Sequence, residues 1–100
     1  MTEQINIVIA ERGWIYVGRV SRDGDMVVIR DCYNIRRWGT TEGLGELARL
    51  GPRQDTLLDR YGTVRIHVLA VIGQISDDDT QRVWDAWYAK QSDKPKRGKS

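Results

Sequence analysis

Trp14-Ile15-Tyr16-Val17-Gly18-Arg19-Val20-Ser21-Arg22-Asp23-Gly24-Asp25-Met26-Val27-Val28-Ile29-Arg30-Asp31 is the stretch that decides the fold. Two runs rich in β-branched and aromatic residues flank Asp23-Gly24-Asp25, and Asp-Gly between such runs is among the strongest local signals of a β-hairpin. In the first run Trp14, Tyr16 and Gly18 alternate with Ile15, Val17 and Arg19, the period of two that sends successive side chains to opposite faces of a sheet. Upstream, Ile5, Ile7 and Ile9 alternate with Asn6, Val8 and Ala10 as an earlier strand, and Glu11-Arg12-Gly13 supplies its turn. Downstream, Cys32 to Trp38 either extends the returning strand or adds a fourth after a bend, so the N-terminal part reads as a meander of three or four strands.

Beyond Gly39-Thr40-Thr41 the period changes. Leu44, Leu47, Ala48 and Leu50 recur at helical spacing before Gly51-Pro52 stops the segment, which predicts a short helix weakened by Gly43 and Gly45. Pro52 to Gly62 reads as a polar connection pinned by Leu57 and Leu58. Thr63 to Ile75 is the most β-branched stretch, long enough for one bent strand or two, with Gly73 a candidate bulge. Ser76-Asp77-Asp78-Asp79 resembles a helix-capping sequence and sets carboxylates at the positive end of a helix dipole. In the helix that follows, Val83, Trp84, Trp87 and Tyr88 share one face. The expected fold is mainly β within an α+β class: a small twisted antiparallel sheet or SH3-like barrel, a short middle helix and a C-terminal amphipathic helix.

Composition bounds the organisation. One hundred residues support a single core, expected over residues 1–90, since two smaller cores could not offset the entropy of ordering their chains. All aromatic volume comes from four Trp and four Tyr, with no Phe, and both types carry a polar group that wants a partner when buried. Lys94, Lys96, Arg97 and Lys99 against Asp93 give residues 91–100 a local charge of +3, which leaves the body at −1 within the net +2. That segment has no apolar residue and is expected to be a disordered basic tail. One cysteine, Cys32, permits no internal disulfide and fits a reducing compartment. The longest apolar run, Val68 to Ile72, is far short of the ~20 residues that span a bilayer, and Met1 to Gln4 does not open a signal peptide. A cytoplasmic protein without membrane contact is expected.

Most residue types that could carry chemistry have a structural account. His67 is the sole histidine, within the apolar run Val64 to Ile72, and no nucleophile sits in a recognisable motif beside it. One Cys and one His are too few for a tetrahedral zinc site, and Asp77, Asp78 and Asp79 suit helix capping better than calcium. Gly43-Leu44-Gly45 lacks the Gly-Lys-Ser/Thr of a phosphate loop and the third glycine of a dinucleotide fingerprint. No catalytic residue, metal or cofactor is therefore assigned. Arg36-Arg37-Trp38 stands out: guanidiniums beside an indole can hold an anion and stack on a planar group, although alternation lets at most one arginine share the face of Trp38. Arg65 belongs to another predicted strand that could bring a third guanidinium beside them. Trp84, Trp87 and Tyr88 suit either the core or an oligomer or partner interface, where Trp and Tyr concentrate.

Tyr16-Val17-Gly18-Arg19-Val20-Ser21-Arg22-Asp23-Gly24, Val27-Val28-Ile29-Arg30-Asp31, Ile35-Arg36-Arg37-Trp38, Leu44-Gly45-Glu46-Leu47-Ala48, Gly51-Pro52 and Val68-Leu69-Ala70-Val71-Ile72 together resemble a family of small proteins of unknown function from temperate bacteriophages and prophages. The resemblance covers roughly residues 14–75. It departs at Cys32, where the family has a small Ala, and in the loop 52–63. It implies a phage setting, a host-cell cytoplasm and a small barrel-like body, and no reaction. The expected function is that of a non-catalytic phage accessory protein acting by binding, against a host defence factor or by sequestering a nucleotide-type ligand. The alternatives are an oligomeric virion structural or assembly protein and a nucleic-acid-binding regulator. Self-association, most simply as a dimer, is expected from the sheet edge at Ile5 to Ala10 and from the aromatic helix.

Overall fold

The structure, a computed structural model, describes residues 4–39 and 43–93. Its strands are β1 (Gln4–Ala10), β2 (Ile15–Asp23), β3 (Met26–Arg37), β4 (Leu57–His67) and β5 (Val71–Ile75). Helix α1 (Leu44–Leu50) precedes β4, α2 (Asp78–Asp93) follows β5, and single 3₁₀ turns occupy Glu11–Gly13 and Val68–Ala70. The five strands form one antiparallel sheet in the order β4-β3-β2-β1-β5. The mainly β architecture with a short middle helix and a C-terminal helix is the one expected.

The hairpin forms where the sequence places it, with the turn one residue later than Asp-Gly. Asp23 pairs with Met26, so Gly24 and Asp25 are the two loop residues. Gly24 alone of the two has positive φ, +60°, the pattern of a type II′ turn that matches the twist of its flanking strands. Cys32 to Arg37 continue β3 rather than forming another strand.

Two corrections concern the second half. Residues 57–62 are not a connection but the first half of β4, with Leu58 opposite Ile35 and Asp59 opposite Asn34. The polar look of Asp59-Arg60-Tyr61-Gly62 reflects an edge strand, which needs only one apolar face. The barrel alternative also gives way, because no ladder joins β4 to β5 among the described residues and the sheet stays open along that seam.

The sheet is nonetheless strongly curled. Its edges β4 and β5 would lie about 19 Å apart if five strands were flat at ~4.8 Å spacing, yet only Val68–Ala70 links them. A 3₁₀ turn rises about 2.0 Å per residue, so that link holds the two edges together at one end. Bulges supply the bend. Arg19 opposes Arg30 and Val17 opposes Tyr33, which leaves Gly18 alone opposite Asp31 and Cys32. Asp31 takes φ +50° there. A Cβ at Gly18 would run into the Ile29 side chain and come 2.8 Å from the Arg30 carbonyl oxygen, so the bulge requires glycine. Helix α2 clips the same place: the Tyr88 hydroxyl donates toward Asp31 O at 2.6 Å and Val17 O at 3.2 Å.

Curling gives the sheet two buried faces. The convex face carries Ile5, Ile7, Ile15, Val17 and Ile35 against Leu47 and Ala48 of α1 and Trp84 and Tyr88 of α2. The concave face closes on itself around Val8, Ala10, Tyr16, Val27, Ile29 and Cys32, with Val64, Ile66 and Val71 from the edge strands and Val68 from the turn that links them. This is why β1 is buried at nearly every position. Helix α2 runs to Asp93, three residues past the expected domain boundary. The rest of the expected tail, residues 94–100, lies outside the described residues.

Candidate functional site

One end of the concave face is aromatic. Tyr16 opposes Asn34 of β3, and Asn34 opposes Asp59 of β4, a row across three strands. Buried Asn34 donates through Nδ2 to Ile15 O at 3.0 Å, which fixes the amide. Trp14, just ahead of β2, stacks on Tyr16 with ring centroids 6.3 Å apart and planes within 7°. Tyr61 closes on Tyr16 from β4 at 6.2 Å, tilted by 57°. Trp14 and Tyr61 are each 47% exposed while Tyr16 is buried between them. Burial, and then the neighbouring Cys32 and Tyr61, push the Tyr16 hydroxyl above its ordinary pKa, so it remains a neutral donor.

Arginines frame this surface. Arg36, two residues beyond Asn34 on β3, holds Asp59 through Nε at 2.9 Å. Arg12, Arg37 and Arg60 are exposed and make no ion pair among the described residues. Trp38 follows β3 at 39% exposure, and its carbonyl accepts from the Thr56 hydroxyl at 2.6 Å, which ties the strand end to the start of β4.

The structure does not bring the expected basic set together. Arg36, Arg37 and Trp38 share the outgoing end of β3, with Arg37 opposite Leu57. Arg65 lies opposite Val28, eight β3 residues from Arg36, or about 26 Å at ~3.3 Å per residue. Its guanidinium instead holds Asp23 at 2.7 Å beside the hairpin turn. A clamp of three arginines is therefore corrected to an end surface with Arg36 and Arg37 and a separate Arg65–Asp23 pair.

The aromatic helix face turns inward. Trp84 is fully buried and donates through Nε1 to Leu47 O at 3.2 Å. Tyr88 is buried beneath Arg19, whose guanidinium sits 5.1 Å from its ring centroid. Half-buried Trp87 meets Tyr33, Trp84 and Tyr88 edge-on at 5.0, 5.3 and 5.0 Å. Trp84 and Tyr88 belong to the molecule's own core, which leaves only part of Trp87 at the surface.

The remaining reactive types are engaged locally. His67 Nδ1 accepts from Leu69 N at 3.1 Å and caps the 3₁₀ turn. Burial pushes the Cys32 thiol up to about 12. Asp77 accepts from Thr80 N at 2.9 Å and from the Thr80 hydroxyl at 2.7 Å, so the α2 cap lies at Asp77 and Thr80, one residue later than Ser76 and Asp79. These two bonds hold the Asp77 carboxyl below its ordinary pKa.

Sequence reading missed the Trp14–Tyr16–Tyr61 row, since only the strand register joins positions 45 residues apart. No protein-family model matches the chain, and no curated protein matches it either. Among the described residues, no helix is long and apolar enough to cross a membrane.

Proposed function

We propose that this protein acts by binding rather than catalysis, as a bacteriophage accessory protein that docks its aromatic and arginine end on an acidic surface of a host protein. The observation that carries the reading is the half-exposed pair Trp14, stacked on Tyr16, and Tyr61, tilted against it, beside Arg36. Trp, Tyr and Arg are the residue types that dominate interface energetics when anchored on rigid elements. Here the strands and the Asn34 amide hold them in place. Arg12 and Arg37, exposed in the same segments, favour a partner of negative charge. The phage setting rests on the resemblance of residues 14–75.

The test is site-specific photo-crosslinking in host cells with benzoylphenylalanine at position 61, and at exposed position 69 as the control. A discrete adduct at 61 to one acidic host protein is expected, absent at 69 and lost in Arg36→Glu and Trp14→Ala chains that still unfold cooperatively. Adducts dominated by nucleic acid, or unaffected by both substitutions, would overturn the reading.

A further inference from the structure

The β1 side of the concave face carries a polar, open cleft. Gln4, Asn6, Val20, Ser21, Arg22, Val27 and Gln74 line a cleft of about 230 Å³. That is far above the ~10–15 Å³ that one water molecule needs. Val20 and Val27 form apolar walls continuous with the concave core. Asn6 is the anomaly. It stands within the run Ile5-Asn6-Ile7-Val8, on the face it shares with Val8, and only 7% of it is exposed. Its Nδ2 donates to Gln74 Oε1 at 3.0 Å, but its Oδ1 is buried with no hydrogen-bond partner. A buried acceptor left unmet is costly, and packing alone would favour Val or Leu there.

Gln74 satisfies half of the Asn6 amide. It is an exposed side chain on the edge strand β5, and its carbonyl oxygen occupies the position that an outside acceptor could take. A ligand with a carbonyl and an N–H side by side would satisfy both halves: its C=O would accept from Asn6 Nδ2, and its N–H would donate to Asn6 Oδ1. A flat ring carrying that edge would slide between Val20 and Val27. Arg22 lies at the rim, where its Nε and one terminal nitrogen donate to Gly24 O at 3.2 and 2.9 Å, which orients the guanidinium and leaves its other terminal nitrogen available.

We propose that the Asn6 cleft is a binding site for a nucleobase with an adjacent C=O and N–H on one edge, such as uracil or an oxopurine, with any attached phosphate directed toward Arg22. Asn6 reads the amide edge, the two valines hold the ring, and Gln74 is the placeholder displaced on binding. The cleft opens on the β1–β5 side of β2, where Asn6 opposes Gly18, and it runs to its rim at Arg22, about 20 Å along β2 from Tyr16 at ~3.3 Å per residue.

The test is a titration of the full chain with uridine, inosine and their 5′-monophosphates, followed by amide and side-chain NMR shifts. Shifts centred on the Asn6 side-chain amide, Val20, Val27 and Gln74 are expected. N3-methyluridine, which lacks the donor, should bind at least about tenfold more weakly than uridine, the scale of one lost hydrogen-bonded pair in a buried site. Asn6→Leu should abolish binding, Gln74→Ala should retain or strengthen it, and Arg22→Ala should weaken the monophosphates while leaving the nucleosides unchanged. The ligand-side comparison stands even where a variant fails to fold. No shifts at about 1 mM of any probe, equal binding of uridine and N3-methyluridine, or shifts centred on Trp14 and Tyr61 would each overturn the proposal.

Discussion

Two buried asparagines flank β2 on the concave face, Asn34 on β3 and Asn6 on β1, and they differ in whether the amide is satisfied. Asn34, at the aromatic end, donates to Ile15 O and sits in a closed cross-strand row between Tyr16 and Asp59. Asn6, beside the polar cleft, holds one side chain from an exposed edge strand and leaves its oxygen unpaired. The same residue type is therefore a fixed strut on one side of β2 and an unfinished contact on the other. A satisfied buried amide secures neighbouring backbone, whereas a half-satisfied one subtracts from stability until something completes it.

The largest effect should come from the bend at Gly18 that lies between the two sites. Gly18→Ala forces a Cβ against the Arg30 carbonyl and the Ile29 side chain, and a loss of about 3 kcal/mol in urea unfolding is expected, at the upper end for overpacking. A loss under about 1 kcal/mol would show that the bulge can relax and that the two sites are not rigidly linked.

Next come the asparagines themselves. Asn34→Leu should cost about 1–3 kcal/mol by orphaning Ile15 O, while Asn6→Leu should be neutral or raise the thermal midpoint. Equal losses in both would erase the distinction. Trp14→Ala should be smaller still, about 1 kcal/mol for an exposed stacked ring, measured as the shift in urea midpoint at constant slope.

The smallest effect concerns α2, which braces the convex face. The Asp77 carboxyl titrates below an unfolded aspartate, whose pKa is ~3.9. Its contribution is thus fully present above that value and is lost as pH falls through the lower, folded value. Asp77→Asn should flatten the acid limb of the stability curve below about pH 4 while leaving the neutral plateau nearly unchanged. An unchanged acid limb would show that the cap is not coupled to folding.

Much of this fold was legible because local signals agreed. Asp23-Gly24-Asp25 between alternating runs specified the β2–β3 hairpin, and the spacing of Val83, Trp84, Trp87 and Tyr88 specified the buried face of α2. The helix cap was legible in kind and off by one residue, because Asp77 followed by Thr80 caps as well as Ser76 followed by Asp79. Residues 57–62 were illegible as strand, since Asp59, Arg60 and Gly62 carry no β signal and are held by pairing with β3. Periodicity could not separate the two faces of β1, because both are buried. Asn6 was nonetheless visible as the one polar residue inside an Ile and Val run, a signal that acquires meaning only once both faces are known to be covered. Arg36 and Arg37 drew notice by adjacency, whereas the more organised surface beside them depends on Trp14 and Tyr61, which only tertiary register brings together.

The pairing of β1 with β5 sets a timetable for synthesis. Ala10 must wait for Val71, and Ile7 for Ile75, before the outer edge of β1 is covered. At translation rates of about 5–20 residues per second, the intervening stretch takes roughly 3–13 s to emerge. For that interval an Ile- and Val-rich strand edge has its inner side paired by β2 and its outer side bare, a state open to pairing with other chains. A ribosome that terminates before residue 71 would release a chain that keeps its hairpin but holds this edge exposed, so truncated products should be found in aggregates rather than in solution.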